Sequence, residues 1–187
     1  MTQIPTPEPT LMIVTGWRNT GKTTFCQLMI EAARERNLSV SGILSPGVFE
    51  NYQKIRIDME DLRTGEKRVL AQKGNNPESE YDLPSWFFEK ENLSWGNTIF
   101  EQAVPTDLLI VDELGPIELE QNKGWVSALQ ALDSGQYQIA ITVIRSELMP
   151  HARKRWPNAQ IITLQSVNLV PSLTTEIIRS CFPQDKA

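Results

Sequence analysis

Alternating strand and helix signals predict an α/β fold with a mainly parallel sheet flanked by helices. Three segments carry this prediction. Leu11–Thr15 is a short apolar run that opens into a glycine-bounded loop. Phe25, Leu28, Met29, Ala32 and Ala33 then recur at helical spacing, and Leu108–Val111 is an apolar run that stops abruptly at Asp112 and Glu113. A strand buried on both faces of a parallel sheet reads as such an unbroken run, because neither side of the pleat meets water.

The remaining elements follow in chain order. Asn37 closes the first helical pattern, and Ser39–Leu44 reads as the second strand. Ile55–Met59 and Lys67–Ala71 form a predicted β-hairpin about Thr64-Gly65, within an insertion covering roughly 46–92. Residues 72–92 hold Gly74, Asn75, Asn76, Pro77 and Pro84, then Trp86, Phe87 and Phe88, which predicts a loop anchored by aromatics or a mobile lid. Helical signals over Leu93–Ala103 precede the Leu108–Val111 strand. Strands at Gln138–Ile144 and Gln160–Leu164 each follow a helix-like segment. A last helix starts near Pro171, with Leu173, Ile177, Ile178 and Cys181 facing inward.

Composition bounds what these elements do. A chain of 187 residues, 40% hydrophobic and 22% charged, suits one domain over 11–187 behind a flexible leader at 1–10. The formal charge of -5 argues against a broad electrostatic grip on nucleic acid or anionic lipid, so phosphate has to be held locally. Cys26 and Cys181 lie far apart with no His or Cys cluster, which predicts core thiols in a reducing compartment rather than a zinc site or disulfide. The start MTQIPTPEPT lacks the features of a signal peptide, and no run reaches the ~18 apolar residues of a membrane span. The expected location is the cytoplasm.

Chemistry is carried first by Gly16-Trp17-Arg18-Asn19-Thr20-Gly21-Lys22-Thr23, a full match to the phosphate-binding pattern G-x-x-x-x-G-K-[ST]. Glycines let the backbone curl so that N–H groups point inward, and a helix starting at Lys22 adds the partial positive charge of its N-terminus. Lys22 is expected to bridge the β- and γ-phosphates, Thr23 to ligate Mg²⁺, and Thr24 to donate near the α-phosphate. Trp17 covers the nucleotide or packs on the hairpin, and Arg18 contacts phosphate or solvent.

The second motif is the strand ending at Asp112-Glu113. Ligand groups gather at the C-terminal ends of strands in α/β sheets. Asp112 is expected to hold Mg²⁺, largely through water, and Glu113 to orient or deprotonate a water in line with the γ-phosphate. Arg145 follows the strand Gln138–Ile144 and is expected either to stabilise charge on the transferring phosphoryl group or to cap a surface turn. The basic run His151, Arg153, Lys154 and Arg155 reads as a solvated helix face, and His151 has no sequence partner for a metal site.

Taken together, GWRNTGKTT, the Ser-Gly-Ile-Leu strand with a hairpin ending in Arg-Thr-Gly-Glu, and Asp112-Glu113-Leu114-Gly115-Pro116-Ile117-Glu118-Leu119 resemble the small P-loop nucleoside-triphosphatase family of the cancer-related type. The likeness runs in patches from about Leu11 to Asn168. It implies a P-loop NTPase fold and Mg²⁺-dependent release of the γ-phosphate from ATP, GTP and other triphosphates with modest base preference. The chain departs from the family pattern at Arg18-Asn19-Thr20, at Ser45-Pro46-Gly47-Val48-Phe49 and at Asn168-Leu169. Asn168, in the loop after the last strand, is the polar candidate beside the base by fold analogy.

Rival functions divide on what is missing. A regulatory GTPase needs Asn-Lys-x-Asp, and Asn122-Lys123 is followed by Gly124-Trp125. A small-molecule or nucleotide kinase shares the phosphate loop but often uses an Arg-rich lid, and residues 72–92 contain no Arg. A nucleotide-binding adaptor that couples slow hydrolysis to a protein partner stays open.

Overall fold

The computed structural model describes residues 8–74 and 86–182. The apolar runs become the middle of one sheet. β1 (Thr10–Gly16), β2 (Val40–Leu44), β7 (Thr106–Leu114), β8 (Tyr137–Ile144) and β9 (Gln160–Leu164) pair in parallel in the order β2, β7, β8, β1, β9. β4 (Gln53–Asp61), β5 (Lys67–Lys73) and β6 (Trp86–Phe88) continue the sheet antiparallel beyond β2, and β3 (Gly47–Glu50) pairs with β4.

Alternation along the central strands feeds two cores. Met12, Val14, Leu108 and Ile110 face α1 (Lys22–Glu35) and α6 (Val170–Cys181), where Phe25, Met29 and Ile178 meet them. Ile13, Leu109 and Val111 face the other side, with Phe100 of α2 (Lys90–Glu101), Leu129 of α4 (Val126–Ser134) and Ala152 of α5 (Met149–Arg155). Leu108 to Val111 are all fully buried. Each such side chain stabilises the fold by about 1.5–3 kcal/mol relative to exposure, which explains why this run anchors the centre.

Local chemistry sets the ends of the elements. Asn37 adopts φ 56 after α1, where the N–H of Leu38 donates back to Ala33, a left-handed close that Asn tolerates. The expected β4–β5 hairpin is present. Asp61 ties its turn, accepting from Thr64 Oγ1 (2.7 Å) and the Arg63 N–H (3.0 Å).

Two expectations need correction. Residues 86–92 are not loop: Trp86 to Phe88 pair with Lys73 to Ala71 as β6, and α2 begins at Lys90. The edge of β5 supplies backbone partners that a local reading does not see. The rest of the proposed lid, 75–85, lies outside the described residues. Cys181 faces inward as expected and packs against the α1–α6 core, but at the end of α6 it is only half-buried, whereas Cys26 is fully buried. Among the described residues, no helix is long and apolar enough to cross a membrane.

Gly42 sets the β2–β7 spacing. It holds φ 97, and a Cβ there would lie 2.0 Å from the Ile110 carbonyl oxygen. Gly42→Ala is therefore expected to lose more than about 1 kcal/mol of stability and to lower Tm by about 2–4 °C for each kcal/mol lost. Thermal unfolding followed by circular dichroism checks this, and an unchanged Tm contradicts the close approach.

Candidate nucleotide and phosphate site

The phosphate loop joins β1 to α1 and is shaped by residues without room or tolerance for alternatives. Gly16 holds φ 144, with space for a Cβ closed by the Leu164 carbonyl oxygen at 2.3 Å. Asn19 and Gly21 also take positive φ, at 59 and 92. Thr20 Oγ1 donates to the Trp17 carbonyl (2.9 Å), bracing the loop from within. The α1 N-terminus has no side-chain cap, so its first N–H groups stay available to an anion.

Lys22 lies across this loop, donating to the carbonyls of Gly16 (2.9 Å) and Trp17 (2.7 Å). Burial lowers its pKa, against the opposing pull of Glu113. The ammonium is thus held at the loop by groups that a phosphate oxygen can replace.

Asp112 stands at the end of β7 with 1% exposure. Its Oδ2 accepts from the Ser45 N–H (3.1 Å), and its Oδ1 lies 3.5 Å from Thr23 Oγ1. Burial pushes its pKa up to about 7, with the Ser45 N–H acting in the opposite sense. Ser45 Oγ is buried nearby and has no hydrogen-bond partner among the described residues. A hard cation that keeps several waters and takes one or two protein oxygens fits this donor set. Thr23 and Asp112 are the residues that would hold Mg²⁺, and Ser45 could bond a water of its shell. Sequence reasoning missed Ser45; its signal was only its place one residue beyond the apolar β2.

Glu113 is set apart from Asp112 by the backbone. Register slips between Val111 and Leu114 against β8, and Glu113 takes φ 78 inside this irregularity. A non-glycine residue held there costs on the order of 1–3 kcal/mol, and such strain clusters at functional sites. Arg145, directly after β8, donates Nε to Glu113 Oε1 (2.8 Å), and its Nη2 contacts the same oxygen. Of the three residues assigned to catalysis from sequence, Lys22, Glu113 and Arg145, the last two are therefore brought together as an ion pair.

Other candidates fall around the rim. Trp17 is 79% exposed, so it does not pack against the hairpin, and Arg18, Asn19 and Thr24 are exposed as well. Asn168 sits exposed in a 3-10 turn, Val167–Leu169, whose Val167 packs against Gly21. That places Asn168 next to the phosphate loop. His151 contacts Glu120 (3.5 Å) and Arg155 pairs with Asp133 (2.6 Å), as expected of a solvated helix face.

Glu118, the last acidic residue of the Asp112–Glu118 motif, has a different task. It is 8% exposed, and its two oxygens accept from the N–H groups of Gly115 (2.9 Å) and Trp125 (3.1 Å). It clamps α3 (Pro116–Leu119) and the loop that follows, which leaves Glu113 on a fixed backbone.

Fold and site together define a P-loop NTPase. The NTPase family model matches residues 11–175. The chain is 31% identical over 150 residues to the nucleoside-triphosphatase THEP1 of Methanopyrus kandleri, covering 80% of this chain and 77% of that one. Against the THEP1 of Thermofilum pendens it is 24% identical, covering 85% and 90%. Two solved structures share the fold. A human cancer-related nucleoside triphosphatase gives a TM-score of 0.67 at 18% identity over 91% of this chain and 98% of that one. THEP1 from Aquifex aeolicus gives 0.67 at 17% identity over 92% and 99%. The chain belongs to the NTPase family, whose members are nucleoside-triphosphate hydrolases, as the resemblance read from its sequence implied.

Glu118→Gln replaces one acceptor of the clamp with a donor facing a backbone N–H. The expected result is a loss of about 1–3 kcal/mol in stability, read as a lower urea midpoint, with nucleotide affinity retained. A midpoint equal to wild type contradicts the clamp.

Proposed function

We propose that this chain hydrolyses ATP, GTP and related nucleoside triphosphates to the diphosphate and inorganic phosphate in a Mg²⁺-dependent reaction. The observation that carries this reading is the gathering of Lys22, Thr23, Asp112, Glu113 and Arg145 at one sheet edge, with a carboxylate–guanidinium pair beside the phosphate loop.

In this reading the loop N–H groups and Lys22 receive the phosphates, and Lys22 exchanges its carbonyl partners for β- and γ-phosphate oxygens. Thr23 and Asp112 would hold Mg²⁺, which would supply positive charge to offset the charge that builds on the phosphates. Arg145 exchanges part of its contact with Glu113 for the γ-phosphate, where a guanidinium stabilises the charge of the transferring group. Glu113, released from full pairing, accepts the proton of the attacking water. The water oxygen bonds to the γ-phosphorus as the β–γ bridging P–O bond breaks, and the nucleoside diphosphate leaves with that bridging oxygen.

Base recognition rests on the rim. Asn168 offers one polar side chain beside the loop and Trp17 an exposed ring. Neither is a guanine-reading motif, which supports acceptance of several bases. Hydrolysis rather than transfer to a second substrate is supported by Glu113, which is suited to activate water.

Glu113→Gln separates chemistry from binding. The variant is expected to keep Mg²⁺-ATP affinity and to lose about 10²-fold or more in kcat, the usual scale for a positioned general base. Single-turnover hydrolysis and nucleotide titration measure both quantities. Wild-type turnover in this variant removes Glu113 from the mechanism.

A further inference from the structure

One cation at the phosphate edge is left over by this mechanism. Lys54 lies on β4, and the chain that carries it is tied to Asp112. β2 runs into Ser45, whose N–H donates to Asp112 Oδ2, and two residues later the chain enters β3 at Gly47. β3 turns back through Asn51 and Tyr52, which take φ 46 and 62, and pairs with β4 through a register shift between Val48 and Phe49. Phe49 therefore opposes Lys54. The aliphatic stem of Lys54 crosses Gly47: a Cβ on that glycine would lie 2.3 Å from Lys54 Cε and 3.4 Å from Cδ.

Arg56, Lys67 and Arg68 of the same antiparallel region each pair with a carboxylate. Lys54 is half-buried and has neither an ion pair nor a side-chain hydrogen bond among the described residues. Burial sets the direction of the shifts of Lys22 (down) and Asp112 (up), and the positive charge of Lys54 adds a smaller downward pull on each. An unpaired ammonium near a phosphate site is well satisfied by phosphate oxygen.

We propose that Lys54 reads the terminal phosphoryl group of the bound nucleotide and so selects triphosphate over diphosphate. The assignment rests on the triphosphatase reading above. The loop and the α1 N-terminus take the inner phosphates, whereas Ser45, two residues before Gly47, bonds Asp112, at the end where the metal and the terminal phosphate would gather. A cation delivered from that side adds contacts that a diphosphate cannot make. Gly47 is part of the device, because any larger residue there would push the lysine stem aside.

The test compares binding of a non-hydrolysable Mg²⁺-triphosphate analogue and of the Mg²⁺-diphosphate by calorimetry. Lys54→Gln is expected to weaken the triphosphate analogue about tenfold or more, as for a lost charge-assisted hydrogen bond, while changing diphosphate affinity by about twofold or less. Lys54→Arg is expected to recover most of the difference. Gly47 is not among the glycines with positive φ, and its side chain would meet the flexible end of Lys54 and, at 3.1 Å, the exposed ring of Phe49, both of which can move outward. Gly47→Ala should therefore fold with a wild-type Tm and still lose selectivity for triphosphate. An unchanged ratio of the two affinities in Lys54→Gln, or an equal loss of both, overturns the assignment. Lys22→Ala is the control: it is expected to lose both ligands. If wild type fails to bind the triphosphate analogue, the triphosphatase reading fails first and this one with it.

Discussion

Asp112 is a carboxylate with 1% exposure at the end of the most apolar strand, and the site is built around the cost of keeping it there. Burial of a charge without compensation is unfavourable by several kcal/mol or more, and a group so placed takes up a proton or a counter-ion instead. One N–H from Ser45 and a distant Thr23 hydroxyl are its hydrogen-bond partners, and its pKa rises to about 7. Because that folded value lies above the unfolded one, the carboxylate is no burden in acid and grows costlier as pH rises through about 7. In the proposed reading a divalent cation would remove that cost at neutral pH. Apolar burial of β7 thus links the packing of Leu108 to Val111 with the protonation of a carboxylate one residue beyond them.

The cationic residues of the edge are preset in a different manner. Lys22 rests on carbonyls of its own loop, and Arg145 rests on Glu113. Each is held in position by a partner that phosphate can replace, so little reordering is needed when the nucleotide arrives. The irregularity at Asp112 and Glu113 serves the same end. It holds Glu113 toward Arg145 while Asp112 stays toward Thr23, and the Glu118 clamp fixes the turn that follows. Strain at φ 78 is offset by that clamp and by the buried Leu114.

Much of this was legible in the sequence because it depends on short-range rules. Leu108 to Val111 had to be buried on both faces, so the central strand and its carboxylate ending were readable from apolar residues alone. The phosphate loop has fixed letters between a strand and a helix, and the position of Arg145 at the end of a strand was readable, though not its pairing with Glu113. What was not legible depends on partners far along the chain. β6 has only three residues, and its hydrogen bonds come from β5. β3 contains Gly47 and Glu50 and has no alternating pattern, so nothing local marks it as a strand. Ser45 meets Asp112 across 67 positions, and Glu118 finds its second N–H at Trp125, in a loop no pattern predicts.

The claim that everything else depends on is that Asp112 anchors the cation. Mn²⁺ reports on a Mg²⁺ site through its paramagnetic resonance, so its binding can be titrated in the presence of a non-hydrolysable triphosphate analogue in wild type and in Asp112→Asn. A tight Mn²⁺ site is expected in the wild-type ternary complex, with an affinity at least about tenfold weaker in the variant, roughly 1.4 kcal/mol. Equal Mn²⁺ affinity in the two proteins would contradict that claim.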